Sequence, residues 1–211
     1  RCTANAANGY QITSITNGTL TISSPIVVDV SANSASFIRG IGAQVPTLTA
    51  TISPSNGVTS TNCNAYTDTT FSTTVALTAN TAAGTYPIRC STTLVQNHVY
   101  GNVSGATLTV YSPVTIAAAN ASYISGMANP VPTFTGSASP GAGIVGNLSC
   151  SVYSQADTGF TSPLVISNST ASGTYVIRCI GTVALGYQLV TNTTAQLTVN
   201  AAVTITFDSN L

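Results

Sequence analysis

The residue types with the greatest capacity for chemistry in this chain are its cysteines and its one histidine. The sequence has five cysteines, a single histidine at position 98, and neither lysine nor glutamate. One histidine cannot form a multi-histidine metal site, and the lack of glutamate weighs against a paired-carboxylate mechanism. Nucleophilic catalysis would need Cys2 or a serine activated by His98, which lies in a stretch that is predicted to be a loop. We therefore predict no catalytic residue, no metal site, no cofactor and no enzymatic activity.

Four of the five cysteines occur as two similarly spaced pairs. Cys63 and Cys90 are separated by 27 residues, and Cys150 and Cys179 by 29. Because both pairs hold matching places in a repeat, we predict that each forms a disulfide between two strands, in an extracellular or cell-surface setting. Four reduced thiols are the alternative. Cys2 has no partner within its own partial repeat, so it is expected to bond outside this stretch of chain or to another copy.

The elements that carry these cysteines come from an internal repeat. Residues 84–90, Gly-Thr-Tyr-Pro-Ile-Arg-Cys, return almost unchanged at 173–179, and the chain opens on Arg-Cys. A closing segment, Thr-Leu-Thr-Ile at 19–22, returns in closely similar form at 107–110 and 196–199. A period of about 90 residues indicates tandem domains. The predicted units are residues 1–24, the last strands of an incomplete unit; 25–111 and 113–200, two complete units; and 201–211, a single opening strand.

Composition and alternation both predict an all-β fold. Thr, Val, Ile and Tyr favour strands, and frequent Gly, Pro, Asn and Ser favour turns. Within residues 85–91 the side chains of Tyr86, Ile88 and Cys90 fall on one face, as in a half-buried strand of a sandwich. The fold class is thus predicted to be tandem immunoglobulin-like β-sandwiches with open terminal strands.

Charge is sparse, with four arginines and four aspartates. A neutral surface lacks long-range attraction for nucleic acid or anionic lipid, so neither is an expected partner. The hydrophobic runs are too short and too interrupted to span a bilayer. Two Asp–Arg combinations recur in the repeat, Asp68 with Arg89 and Asp157 with Arg178. Each is either an ion pair or two separately solvated charges.

Six asparagines satisfy the N-glycosylation sequon: Asn17, Asn102, Asn120, Asn147, Asn168 and Asn192. In a chain so rich in Asn, Ser and Thr, about this many arise by chance, so their number alone is no evidence. Asn17, Asn102 and Asn192 each come just before the closing strand, where an exposed loop is predicted. That placement favours these three as carriers of covalent glycans.

Residues 123–136, Tyr-Ile-Ser-Gly-Met-Ala-Asn-Pro-Val-Pro-Thr-Phe-Thr-Gly, together with 173–177 and 197–199, resemble the MBG-type immunoglobulin-like repeats of large microbial surface proteins. Residues 37–47 of the first complete unit resemble them less closely. The resemblance covers both complete units. It implies an extracellular stalk or fibre of stacked sandwiches, with no catalytic residues.

Two classes of function follow from these features. In the first, the protein is a structural subunit or repeating segment of an extracellular, pilus-like filament that is assembled from copies of itself, end to end, by strand sharing. In the second, it is a spacer or ligand-binding module of a large cell-surface adhesin. There, tyrosines such as Tyr66, Tyr100, Tyr153 and Tyr187 would contact sugar or a host surface. The open terminal strands favour the filament.

The C-terminal segment is predicted to be a donor strand. Residues 203–205, Val-Thr-Ile, repeat residues 114–116, and Val203, Ile205 and Phe207 fall on one face. An isolated strand needs a sheet for its backbone groups and for its apolar face. We therefore expect residues 201–211 to add, by β-augmentation, to the sheet that contains residues 1–24 of another copy or of the continuing chain.

Overall fold

The computed structural model describes residues 5–9, 11, 18, 23–42, 45–127 and 131–207. Within them, regular structure consists of β-strands and two short 3-10 turns, Ser55–Gly57 and Gly141–Gly143. The all-β prediction is confirmed.

Two units follow each other along the chain, and they share one strand. The first unit is built from β1 (Ile26–Ala32), β2 (Ala35–Ile38), β3 (Ala50–Ser53), β4 (Val58–Ala65), β5 (Gly84–Leu94), β6 (His98–Ser104) and the first half of β7 (Ala106–Ala118). The second unit adds to the rest of β7 the strands β8 (Ala121–Ile124), β9 (Gly136–Ser139), β10 (Ile144–Tyr153), β11 (Gly173–Val183), β12 (Tyr187–Thr193) and β13 (Ala195–Asn200).

Each unit is a sandwich of two sheets. In the first unit one sheet has the order β3–β1–β6, and the other has the order β4–β5–β7–β2. Strand β1 runs antiparallel to β3 and parallel to β6, while β7 runs antiparallel to β5 and parallel to β2. The second unit repeats this arrangement as β9–β7–β12 and β10–β11–β13–β8. The predicted tandem immunoglobulin-like sandwiches are therefore confirmed.

Each sandwich core comes from the inward half of an alternating pattern. Along β5, Ile88 and Cys90 are buried while Arg89 and Ser91 are exposed, as the sequence predicts. The first core is formed by Val28, Val30, Phe37, Ala65, Ile88, Cys90, Leu108 and Val110. The second is formed by Ile116, Tyr123, Val152, Ile177, Cys179, Leu197 and Val199. Full burial of one such aliphatic side chain contributes about 1.5–3 kcal/mol.

Strand β7 joins the two units without a break. Its residues 106–110 pair with β5 in the first sandwich, and its residues 112–117 pair with β12 in the second. Leu108 and Val110 enter the first core, and Ile116 enters the second. The inward alternation thus continues through the boundary predicted at residue 112, so one strand closes the first unit and opens the second.

Residues 201–207 continue this alternating sequence but belong to no strand among the described residues. Val203, Ile205 and Phe207 are 86%, 75% and 91% exposed, whereas Val114 and Ile116, at matching places in β7, are 0% and 1% exposed. The end of the predicted donor, 208–211, and most of the predicted acceptor, 1–24, lie outside the described residues. Their pairing stays a prediction.

Candidate functional site

Both predicted disulfides form. Cys63 lies directly opposite Cys90 in the β4–β5 pair, and Cys150 lies opposite Cys179 in the β10–β11 pair. In each pair the Cα atoms are 4.0 Å apart. Each bond therefore links neighbouring strands of one sheet, whereas the disulfide of antibody domains crosses between the two sheets. Cys2 lies outside the described residues.

A cluster of two aromatic rings and one arginine recurs in both units. The rings of Tyr66 and Phe71 meet edge to face with centroids 5.3 Å apart, and the guanidinium carbon of Arg89 lies 5.1 Å from the Phe71 centroid. In the second unit the ring centroids of Tyr153 and Phe160 are 5.3 Å apart, and the guanidinium carbon of Arg178 lies 4.6 Å from the Phe160 centroid. These are cation–π contacts. No Asp–Arg ion pair forms within the described ranges, so the ion-pair alternative is wrong.

Asp68 instead organises the loop that presents Phe71. Its carboxylate accepts hydrogen bonds from the hydroxyl of Thr70 and from the hydroxyl and backbone N–H of Ser72, the latter two at 2.9 Å and 3.2 Å. The Thr70 hydroxyl, followed by the groups of Ser72, holds the pKa of Asp68 well below its usual range. Phe71 has a φ of 57°, a left-handed conformation that is rare for a bulky residue. The carboxylate therefore stabilises an otherwise unfavourable turn.

Asp157 does the same in the second unit with fewer donors. It accepts the backbone N–H of Ser162 at 2.9 Å and the backbone N–H of Thr161 at 3.2 Å. These bonds lower the pKa of Asp157, and Phe160 has a φ of 54°. Both aspartates are thus occupied by local donors, which is why neither reaches an arginine.

Beside the first cluster lies a pocket of about 460 Å³. It is lined by Val30 of β1, by Tyr66 and Phe71, by Arg89, Cys90, Ser91 and Thr92 of β5, and by Tyr100 and Val103 of β6. Its lining is mostly apolar, with Arg89 as its one charged side chain. This volume is in the range of sites that hold one small organic molecule or one sugar ring.

The pocket exists because β5 lacks a neighbour along part of one edge. The bond from the Tyr66 N–H to the Pro87 carbonyl shows that Pro87 faces β4. Alternate residues face opposite neighbours, so Ile88, Cys90 and Thr92 face the other side. There β7 pairs with β5 only as far as Ile88. The main-chain groups of Cys90 and Thr92 therefore point into the pocket.

Tyr100 and Val103 are the two β6 residues that line the pocket beside this open edge. The Tyr100 hydroxyl donates to the Thr92 carbonyl at 2.5 Å. No side chain in the described part of the chain donates to the carbonyl of Cys90, and Val103, which lines the pocket with Cys90, has no donor to offer. The Cys90 carbonyl is left available to a hydrogen-bond donor in the pocket.

The second unit closes the same edge with an amide. Asn192 of β12 holds the position that Val103 has in β6. Asn192 pairs with Ile116 of β7, and Val103 pairs with the matching residue of β1, Val30. The Asn192 amide donates to the carbonyl of Cys179 at 3.0 Å. This caps the carbonyl that corresponds to that of Cys90.

His98, the one candidate catalytic base, lies at the start of β6. Its Nδ1–H donates to the Gln96 carbonyl at 3.0 Å, and its Nε2 is buried without a partner among the described residues. No serine or cysteine in the described ranges bonds to its ring. These ranges also contain no group of three His, Cys, Asp or Glu side chains with metal-binding geometry. None of their helical turns has the length and hydropathy of a membrane-spanning helix.

The two favoured sequons within the described residues lie in strands and not in the predicted loops. Asn102 is exposed in β6, and its backbone N–H donates to the carboxylate of Asp29 at 2.6 Å. Asn192 lies in β12 with its amide directed at Cys179. A glycan on Asn192 would have to replace that bond and turn the side chain outward. The loop prediction is wrong at both positions because β6 and β12 extend almost to the closing strands.

The remaining sequons stay predictions. Asn120, Asn147 and Asn168 are exposed, and the side-chain carbonyl of Asn120 accepts the Gln196 N–H at 2.8 Å. Asn17 lies outside the described residues.

Sequence reasoning missed the pocket, although the repeat held its signal. Aligning residues 98–110 with 187–199 places Tyr100 against Leu189 and Val103 against Asn192. These differences occur within a framework that is otherwise closely repeated. They mark the place where the second unit caps a β-strand carbonyl with a side-chain amide and the first unit does not.

No protein-family model and no curated protein sequence matches the chain. Solved structures similar to it include the N-terminal four Ig domains of Dscam1 isoform 9.44, at 15% identity and a TM-score of 0.34, with 87% of this chain and 47% of that chain covered. A structure described as the structural basis for Dscam isoform specificity is similar at 14% identity and a TM-score of 0.36, covering 82% and 46%. The chain spans about half the length of these structures.

Proposed function

We propose that the chain is a structural segment of an extracellular, pilus-like fibre whose sandwich units are joined end to end by shared strands. The observation that carries the proposal is the contrast between two copies of one sequence. Residues 114–116 are paired inside β7 with Val114 and Ile116 buried, whereas the same three residue types at 203–205 lie exposed and unpaired within the described residues. The sequence of a buried strand thus occurs a second time, without a partner among the described residues.

Strand β7 supports the proposal as an internal example of the junction. It pairs with β5 in one sandwich and with β12 in the next, so the two units are connected by a run of β-structure. Such a junction is held by backbone hydrogen bonds and apolar burial. A contact of the same kind made by residues 201–207 would be insensitive to salt.

The two disulfides support an extracellular fibre for a separate reason. Each cross-links adjacent strands within a unit, and disulfides persist in oxidising compartments. Each bond also limits how far its unit can be extended. That property suits a stalk, and it suits equally the alternative role of a spacer in a surface adhesin.

The test uses the full chain and the two faces of residues 203–207. Substituting Val203, Ile205 and Phe207 together by Asp removes the apolar face, and we expect regular fibres to disappear from negative-stain images. Substituting Thr204 and Thr206 by Asp adds charge to the other face and serves as the matched control, in which we expect fibres to remain. Fibres of wild-type length in the triple variant would overturn strand sharing by this segment. Isolated flexible strings in the wild-type material would favour the adhesin.

A further inference from the structure

We propose that the pocket between β5 and β6 of the first unit, defined by Arg89, Cys90, Thr92, Tyr100 and Val103, binds a pyranose ring that carries a carboxylate. The ligand class is a hexuronic acid residue of an acidic polysaccharide. The site is independent of fibre assembly, because every residue that lines it belongs to a single unit.

Arg89 is the reason for the carboxylate. Its guanidinium lies over the Phe71 ring at 5.1 Å, and within the described part of the chain it has neither an aspartate partner nor a hydrogen bond. No acidic residue lines the pocket. A guanidinium held on an aromatic face keeps its planar fork of donors available, and a carboxylate accepts such a fork through two parallel bonds.

The open edge of β5 is the reason for ring hydroxyls. The carbonyl of Cys90 faces the pocket and needs a donor, and the Cys90 and Thr92 N–H groups on the same edge need acceptors. A sugar hydroxyl is both a donor and an acceptor, so it satisfies either group. A flat aromatic carboxylate without hydroxyls would leave the Cys90 carbonyl unpaired, which carries a penalty in a partly buried site.

The walls fit the faces of a sugar ring. Tyr66, Phe71 and Tyr100 supply aromatic surface, while Val30 and Val103 form an apolar floor. Of the four tyrosines considered from the sequence, only Tyr66 and Tyr100 line this pocket. Tyr153 packs on Phe160, and the backbone of Tyr187 closes the turn that begins β12.

The second unit explains which of these features are specific to binding. It keeps the same aromatic and arginine cluster, so that cluster alone does not make a site. It replaces Val103 by Asn192, whose amide occupies the carbonyl of Cys179. The site therefore requires both an arginine without an acidic partner and a backbone carbonyl without a donor. The first unit has both, in Arg89 and Cys90, which line the same pocket.

The experiment titrates the full chain with methyl β-D-glucuronide and follows the backbone amide resonances of Cys90 and Thr92. Methyl β-D-glucoside and benzoate are the comparison probes, since the first lacks the carboxylate and the second lacks the hydroxyls. We expect saturable shifts with the glucuronide and affinity about tenfold weaker for either comparison probe, the loss of one set of charge-assisted or neutral hydrogen bonds.

Two variants test the residues, and one controls for fold. Arg89→Gln should reduce glucuronide affinity to that of the glucoside. Val103→Asn should weaken binding of the glucuronide and the glucoside but not that of benzoate, because it installs the amide that caps the carbonyl in the second unit; that unit shows that the framework accepts it. Arg178→Gln, the matched change in the second unit, should leave binding unaltered. Unchanged glucuronide binding in Arg89→Gln or Val103→Asn, equal binding of all three probes, or no shift at Cys90 and Thr92 would each overturn the proposal. Loss of fibres in the Val203, Ile205 and Phe207 variant would leave it untouched.

Discussion

Strands β6 and β12 hold the same place in their two units, yet they fill the space beside the neighbouring strand differently. In the second unit the Asn192 amide reaches across and caps the carbonyl of Cys179. In the first unit Val103 cannot donate, and the Tyr100 hydroxyl reaches a different carbonyl, that of Thr92. One edge is thereby sealed by the protein itself, and the other is left open.

What the two units share is as instructive as this difference. Both have a cross-strand disulfide, an arginine over a phenylalanine ring, and an aspartate that holds the phenylalanine loop. A feature that occurs in both sandwiches is explained by the stability of the sandwich. A feature that occurs in one of them needs another explanation, and the uncapped carbonyl of Cys90 beside Val103 is such a feature.

The largest expected effect is the loss of stability when a disulfide is removed, and it should be equal in the two units. Replacing Cys63 and Cys90 by Ala, or Cys150 and Cys179 by Ala, should lower the free energy of unfolding by about 3–4 kcal/mol in each case, because the closed loops have nearly the same length. Chemical denaturation followed by amide hydrogen exchange in each unit measures the two effects separately. A loss below about 1 kcal/mol in either unit would contradict the shared role of the two bonds.

The second effect should be confined to the second unit. Asn192→Asp replaces the donor to the Cys179 carbonyl by a carboxylate, which can only accept. We expect a loss of about 3 kcal/mol at neutral pH, because a partly buried carbonyl and a charge are left facing each other. Thermal unfolding measures it, and Asn147→Asp, an exposed site in the same unit, is the control. Equal effects of the two changes would remove the distinction between a capped and an open edge.

The third effect tests packing that both units share. A Cβ on Gly143 would lie 2.6 Å from Cγ2 of Val114, and a Cβ on Gly57 would likewise meet Val28. Gly143→Ala should therefore cost about 1–3 kcal/mol through overpacking, and Gly57→Ala a similar amount. Gly141→Ala is the matched control, since a Cβ there has open space. A midpoint of denaturation for Gly143→Ala that equals that of Gly141→Ala would show that this part of the core yields easily.

The sequence predicted the parts of the structure that depend on period and repetition. The placement of Ile88 and Cys90 on one face, and the pairing of Cys63 with Cys90, follow from the two-residue period of a strand and from the recurrence of both segments. The predicted boundary at residue 112 falls where the pairing of β7 passes from β5 of the first unit to β12 of the second, but β7 runs through it without a break. The alternation that buries Val110 continues to Val114, and nothing in the local sequence separates one unit from the next.

The sequence could not predict the parts that depend on loop geometry. Opposite charge made Arg89 a candidate partner for Asp68, but the carboxylate is satisfied by donors within five residues of itself. That leaves Arg89 to the ring of Phe71, which reaches it through a left-handed turn that no pattern of residue types specifies. The sequence did not predict the pocket, because the pocket depends on a backbone carbonyl, that of Cys90, that lacks a hydrogen-bond donor in the folded chain. That property appears when Val103 is set against Asn192 in the folded chain.

The smallest effect concerns acid, and it should distinguish the two aspartate loops. Hydrogen bonds depress the folded-state pKa of Asp68, led by the Thr70 hydroxyl, and that of Asp157, led by the Ser162 N–H. A depressed pKa gives stability that is fully present above the unfolded aspartate pKa of about 3.9 and is lost as pH falls through the folded value. The wild-type midpoint should therefore decline on acidification from about pH 4 downward.

Asp68→Asn should reduce that decline more than Asp157→Asn, because Asp68 accepts from the hydroxyls of three residues and Asp157 from that of Thr161, and an asparagine still accepts without titrating. Thermal midpoints of the wild type and both variants between about pH 5 and pH 2 measure the difference. Both aspartates are only half-buried, so solvent screens each contribution and the effect should be a change of slope and not a loss of fold. If the three curves stay parallel as the pH falls, the aspartates shape their loops without storing any acid-labile stability. The difference between the units would then rest on the edge of β5 alone.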